Sequence, residues 1–150
     1  MKKISALILT MLMLLTIAPL NAFAAEDVIT DSYVEYFDDG SYMVTEITES
    51  AISTFASGTV TKTKSSRYYD DNDNLQWTVS ITGTFNYTGS SATCTKATTS
   101  YTINNNAWKV TSAVPSKSGN KAIGTFTVKK YVLGVPCLLY TSDAADEARS

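Results

Sequence analysis

The chain contains no histidine in 150 residues, only two cysteines and three prolines, and a charged fraction of 17%. Histidine is the side chain that titrates near neutral pH, so its absence removes the usual general base, the Ser-His-Asp triad, the Cys-His pair and the commonest metal ligand together. Catalysis would fall on carboxylates, lysine or tyrosine. A paired-carboxylate glycosidase could draw on Asp38, Asp39, Glu46, Asp70, Asp71 and Asp73. These acids cluster in turns, where aspartate serves local hydrogen bonding, so the expectation is a protein that is not an enzyme, with no catalytic residue and no cofactor. Twelve basic residues against fourteen acidic ones give a net charge of -2, which carries no sign of a nucleic-acid partner. The distribution is less even. Glu26 to Glu49 holds acids and no base, whereas Lys96 to Lys130 holds lysines and no acid. Two oppositely charged faces would explain this, but the favoured explanation places the two ends side by side, with exposed side chains complementing across the sheet.

Long apolar runs are also missing, except at the start. Met1-Lys2-Lys3 leads into ISALILTMLMLLTIAPL and then NAFAAED, where Ala22-Phe23-Ala24 is the small-x-small pattern of a signal-peptidase site. Residues 1–24 therefore read as a signal peptide. The expected product is secreted or extracellular, in contact with the cell surface or free, with no membrane span after cleavage. The expected domain runs over 25–136.

Period-two alternation dominates that domain. In LQWTVSITGTFNY, Leu75, Trp77, Val79, Ile81, Phe85 and Tyr87 share one face, while Gln76, Thr78, Ser80, Thr82, Thr84 and Asn86 share the other. Gly83 interrupts the apolar face, marking a bulge or the close approach of another side chain. Asp70 to Asn74 reads as a hairpin loop, Asp39-Gly40 as a hairpin turn and Gly89 as another. Trp108, Val110, Ser112 and Val114 form one face of a strand closed by Pro115 and Gly119, and Phe126, Val128 and Val132 alternate with Thr125, Thr127 and Lys129. Only ESAISTFA hints at a helix. About seven strands at 8–12-residue spacing predict an all-β fold, an antiparallel immunoglobulin-like β-sandwich or a small barrel.

Binding residues are sought among amphipathic aromatics. Tyr68, Tyr69 and Tyr101 could stack on a sugar or a surface protein, and one of the adjacent pair Tyr68-Tyr69 must look outward. Trp77 and Trp108 run in phase with aliphatic residues and belong to the core. A flat aromatic patch would favour a binding module. Three carboxylates and a tyrosine in a concave pocket would favour the alternatives, a small carboxylate-dependent hydrolase or an enzyme inhibitor. Asp70, Asn72 and Asn74 match the first alternating ligands of an EF-hand loop, but Leu75 stands at the glycine position and Ile81 at the bidentate acid. The plain hairpin loop is preferred, with no metal.

The last stretch, CLLYTSDAADEARS, is unlike the rest. Its residues Cys137 to Glu147 resemble one reading frame of a transposase-adapter DNA used in preparing sequencing libraries. Residues 137–150 are then set apart from the fold, the domain is cut short near Pro136, and its last strand leaves an unpaired edge. The alternative is a natural amphipathic helix from Ser142. The disulfide reading follows suit: Cys94 has a mate on a lost strand, or, with a genuine tail, pairs with Cys137.

A resemblance covers much of the remaining chain. Gly83, Phe85 and Tyr87, then Cys94, Trp108 and Ser118-Gly119-Asn120 make it resemble small uncharacterised exported β-rich proteins of Gram-positive, gut-type bacteria, in which a final strand carries a second cysteine. The resemblance implies export, a β fold and a disulfide, and no activity. What is expected, then, is an exported binding or interaction module whose partner is a surface protein or a glycan.

Overall fold

A computed structural model describes residues 27–50, 57–88 and 90–147. The signal-peptide pattern, most of ESAISTFA and Gly89 lie outside these residues. The chain is all-β: β1 (Asp27–Tyr36), β2 (Tyr42–Ser50), β3 (Ser57–Tyr69), β4 (Leu75–Thr88), β5 (Ser91–Ile103), β6 (Trp108–Ser118), β7 (Lys121–Val132) and β8 (Val135–Glu147). Two open antiparallel sheets form, β1-β2-β3-β4-β5 and β6-β7-β8, each strand beside its sequence neighbour. The sandwich expectation holds, and the barrel is excluded because neither sheet closes.

The alternation read from the sequence builds the core. Trp77, Val79, Ile81 and Phe85 of β4 point to the second sheet, and Ala122, Phe126 and Val128 of β7 point back, all at 0–2% exposure. Each large side chain buried this way contributes about 1.5–3 kcal/mol. One cluster joins Met43, Tyr68, Trp77, Trp108 and Phe126, and the other joins Val60, Ile81, Phe85, Cys94 and Ala122. Gly83 stands at a close approach of the two sheets: an added Cβ would lie 2.6 Å from the Phe85 ring and 2.7 Å from Ala122 Cβ. On the outer face, threonine and serine pair across strands, Thr63 with Thr82 and Ser65 with Ser80, both at 2.9 Å.

Turn chemistry sets the hairpins. Gly40 adopts φ 84° between Phe37 and Ser41, whose backbones bond to each other at 2.9 Å, a conformation glycine reaches without strain. The β3–β4 loop folds around Asp70, and Asp73 takes φ 62°. One side of the sandwich is closed by β5 and β6. There the Cys94 N–H donates to the Gly119 carbonyl at 2.8 Å and Lys117 Nζ to the Thr95 carbonyl at 2.7 Å. On the other side the larger sheet overhangs. The second sheet packs on β3, β4 and β5, while among the described residues β1 pairs with β2 alone and receives the Lys64 ammonium of β3 over the Tyr33 ring at 5.6 Å.

Three readings need correction. A bulge between Val110 and Ser112 shifts the phase of β6, so Ala113 turns inward opposite Phe126 and Val114 is 54% exposed. Pro115 does not close that strand, which continues to Ser118, because an edge strand has no ladder bond for proline to break on its free side. The acidic and lysine-rich ends do not lie side by side either. The acids Glu46 and Glu49 pair with Arg67 and Lys62 of β3 instead, at 2.8 and 3.3 Å.

The segment from Cys137 to Glu147 is extended, not helical. Its backbone pairs with β7 from Val135 opposite Val132 to Glu147 opposite Lys121. The edge expected at β7 is thereby covered, and the free edge of that sheet belongs to β8.

Candidate functional site

Three loops meet at one end of the sandwich: β1–β2, β3–β4 and β5–β6. They surround a cavity of about 180 Å³ reached by Asp39, Asp70, Asp71, Tyr68, Trp108 and Lys130. Asp39 enters from the β1–β2 turn, where its Oδ1 accepts from the amide and hydroxyl of Ser41. The Ser41 hydroxyl first and its amide second hold the Asp39 carboxyl below the usual carboxylate range. Tyr68, on the neighbouring strand, donates its hydroxyl to Ser41 Oγ at 2.9 Å, completing a chain of bonds from the core to the rim.

Asp70 is the pin of the β3–β4 loop. Its carboxylate accepts from the amides of Asn72 and Asn74 at 3.0 and 2.8 Å, from Asn74 Nδ2 at 3.2 Å and from Gln76 Nε2 at 2.8 Å. These donors, the Asn74 amide foremost, lower its pKa. Gln76 continues the chain, since its Oε1 accepts from Asn105 Nδ2 at 2.7 Å and its backbone carbonyl from the amides of Asn104 and Asn105. The EF-hand-like positions therefore work as a turn. Asp70, Asn72 and Asn74 bond to one another and to their own backbone, with Asn72 Nδ2 turned to Asp71 at 2.8 Å.

Lys130 closes the far wall. It falls in phase with Phe126 and Val128 on the inward face of β7, and its ammonium lies 5.6 Å from the Trp108 ring centroid. That phase was visible in the sequence: a lysine two residues past two core positions, at a strand end, is a side chain that reaches a rim. Asp39, Ser41, Gln76 and Asn105 gave no such sign, because only the meeting of three loops brings them together.

The tyrosines divide by face. Tyr68 is 7% exposed and stacks on Trp77 at 5.2 Å, so it is not a surface residue; its parity with Met43 places it inside. Tyr69 looks outward as the alternation requires. It stacks on Tyr42 with centroids 4.9 Å apart and planes 9° from parallel, and Tyr42 lies 5.6 Å from Tyr36, which is 75% exposed. Tyr36, Tyr42 and Tyr69 stand opposite one another on β1, β2 and β3, forming an aromatic row across the outer face. Tyr42 also donates its hydroxyl to Asp73 at 2.9 Å, which raises its pKa. Tyr101 is 52% exposed but stands opposite Val79, on the other face, and has no part in the row. Tyr36 and Tyr42 were missed because a row depends on register between strands, which sequence spacing does not reveal.

The row and the cavity use the same strand ends on opposite faces: Ser41 and Tyr68 line the cavity, while their chain neighbours Tyr42 and Tyr69 point outward. Compared with known protein families, with curated proteins and with solved structures, the chain matches none.

Cys94 is buried between Val60, Ile81, Phe85 and Ala122, and its thiol donates to the Lys96 carbonyl at 3.3 Å. Cys137 belongs to the opposite end of the sandwich. Its backbone lies beside Lys130 and Tyr131, whereas Cys94 bonds to Gly119 just before Lys121. Nine residues of strand separate these levels, roughly 30 Å, and a disulfide spans about 4–7 Å between Cα atoms. A Cys94–Cys137 bridge does not fit this register.

Proposed function

We propose that the protein is an exported binding module that holds a neutral glycan on the Tyr36–Tyr42–Tyr69 row. The observation that carries this reading is the row itself: three tyrosines in register across three strands, led by one at 75% exposure. Cross-strand aromatic pairs stabilise a sheet, but that role does not need a ring so open to water. A sugar offers an apolar C–H face to such rings and hydroxyls to the polar groups beside them. Asp73, which accepts from the Tyr42 hydroxyl, places a carboxylate next to the row. The Asp73 carboxylate beside the row would repel an anionic polymer, which favours a neutral one. The signal-peptide pattern supports an extracellular setting.

A hydrolase is the second reading, because the cavity does gather three carboxylates and a tyrosine. Against it, hydrogen bonds keep Asp39 and Asp70 ionised, and the Tyr68 hydroxyl is engaged with Ser41. A glycosidase needs a carboxyl held protonated as the general acid, and neither aspartate is disposed to be one.

Binding to a panel of neutral polysaccharides, followed by affinity electrophoresis, tests the proposal. Tyr36→Ala and Tyr69→Ala should each weaken binding by about tenfold, while Tyr101→Ala leaves it unchanged. Equal retention of the parent and both row variants would overturn it. Release of reducing ends that Asp71→Asn abolishes would establish the hydrolase instead.

A further inference from the structure

The edge of the larger sheet carries a second surface, which meets the tyrosine row at Tyr36. Strand β1 is exposed over all ten residues and pairs on one side only. Its outward edge presents a row of backbone donors and acceptors with no neighbouring strand among the described residues. Such an edge is a template for an added strand unless charge, a proline or a covering element blocks it. β1 has no proline, and among the described residues it pairs with β2 alone, with Lys64 of β3 reaching over the Tyr33 ring at 5.6 Å.

Its side chains specify what would fit. Asp31 stands opposite Ile47, Tyr33 opposite Thr45 and Glu35 opposite Met43, so these three share the face that turns toward the second sheet. Val34 stands opposite Val44 on the other face. Val28, Ile29, Tyr33 and Val34 are 46–58% exposed. Neither Asp31 nor Glu35 has a cation within ion-pair distance among the described residues, where the two ion pairs are Lys62–Glu49 and Arg67–Glu46. The strand holds three acids and no base. A second copy of β1 laid against it would bring like charges together, so self-pairing is disfavoured.

From this edge we infer that β1 receives an extended basic segment of a partner protein, which adds as a further strand to the sheet. Main-chain bonds supply affinity in this mode, and alternate side chains supply selection. The register dictates the pattern: cationic residues four apart opposite Asp31 and Glu35, an aromatic or branched residue between them against Tyr33, and apolar residues on the other face beside Val34. A sequence of the form Lys-Val-Tyr-Val-Lys meets it.

The test is calorimetric titration of the full chain with two peptides, one carrying Lys-Val-Tyr-Val-Lys and one Glu-Val-Tyr-Val-Glu, each flanked by glycine and serine. The lysine peptide should bind at least about tenfold more tightly, with the preference fading as salt rises. Backbone amides of β1 should gain protection from hydrogen exchange in its presence. The Asp31→Lys/Glu35→Lys variant should reverse the order of the two peptides. Equal binding of both peptides by the parent, or binding of neither, refutes the inference. So does a chain that is already dimeric with β1 amides protected before peptide is added, since the seat is then taken by a second copy.

Discussion

Gly83→Ala is the sharpest probe of the packing. Its new methyl would sit 2.6 Å from two carbons of the Phe85 ring and 2.7 Å from Ala122 Cβ, against an ordinary contact distance of about 3.5–4 Å. Something must retreat by roughly 1 Å. Neither neighbour has room, because Phe85 and Ala122 are both at 0% exposure within one cluster. Forcing a methyl into a filled core costs about 1–3 kcal/mol. Losing glycine's freedom in the unfolded chain returns about 0.4–1 kcal/mol. The net expectation is a loss of about 1–2 kcal/mol, or a fall in Tm of roughly 4–10 °C for a domain of this size. Urea unfolding followed by the fluorescence of the buried Trp77 and Trp108 measures it. Gly58→Ala is the control, since nothing lies within 4 Å of its added Cβ, and it should be neutral or slightly stabilising. The double variant Gly83→Ala/Ala122→Gly removes one of the two clashing groups and should recover part of the loss. If Gly83→Ala proves as stable as the parent, the sheets are not in contact at this point and the packing argument fails.

Phe126→Ala, which empties a fully buried position in the other cluster, should cost about 3–5 kcal/mol in the same assay. Tyr68→Phe removes the donor to Ser41 while keeping the stack on Trp77, and should cost about 1 kcal/mol without shifting the tryptophan emission. The lowered pKa of Asp70 implies a pH dependence of definite sign. Its folded value lies below the unfolded value of about 3.9, so its stabilisation is present above that pH and is lost as pH falls through the folded value. Unfolding midpoints collected from about pH 5 down to about pH 2 should therefore fall less steeply for Asp70→Asn than for the parent. Gln76→Leu cuts the links to Asp70 and Asn105, and hydrogen exchange at Asn104 and Asn105 should rise while the centre of β4 stays protected.

The fold was largely legible because strand alternation and turn chemistry are local. Trp77, Val79, Ile81 and Phe85 announce an inward face by parity, Asp39-Gly40 announces a hairpin by the backbone that glycine permits, and Gly83 announces a close approach by the side chain it lacks. Parity misled at Thr111, where one extra residue reversed the face of Val114, because a bulge leaves no mark in the pattern of apolar residues. It was silent at Tyr68 and Tyr69. Alternation says that one tyrosine looks outward, and only the pairing of Tyr68 with Met43 decides which. The tyrosine row and the loop-end cavity depend on register between strands far apart in the chain, and the bare edge of β1 on how far one sheet overhangs the other. These are properties of two surfaces brought together. No single stretch of sequence holds them, because a strand's own residues fix which faces it has but not what those faces meet.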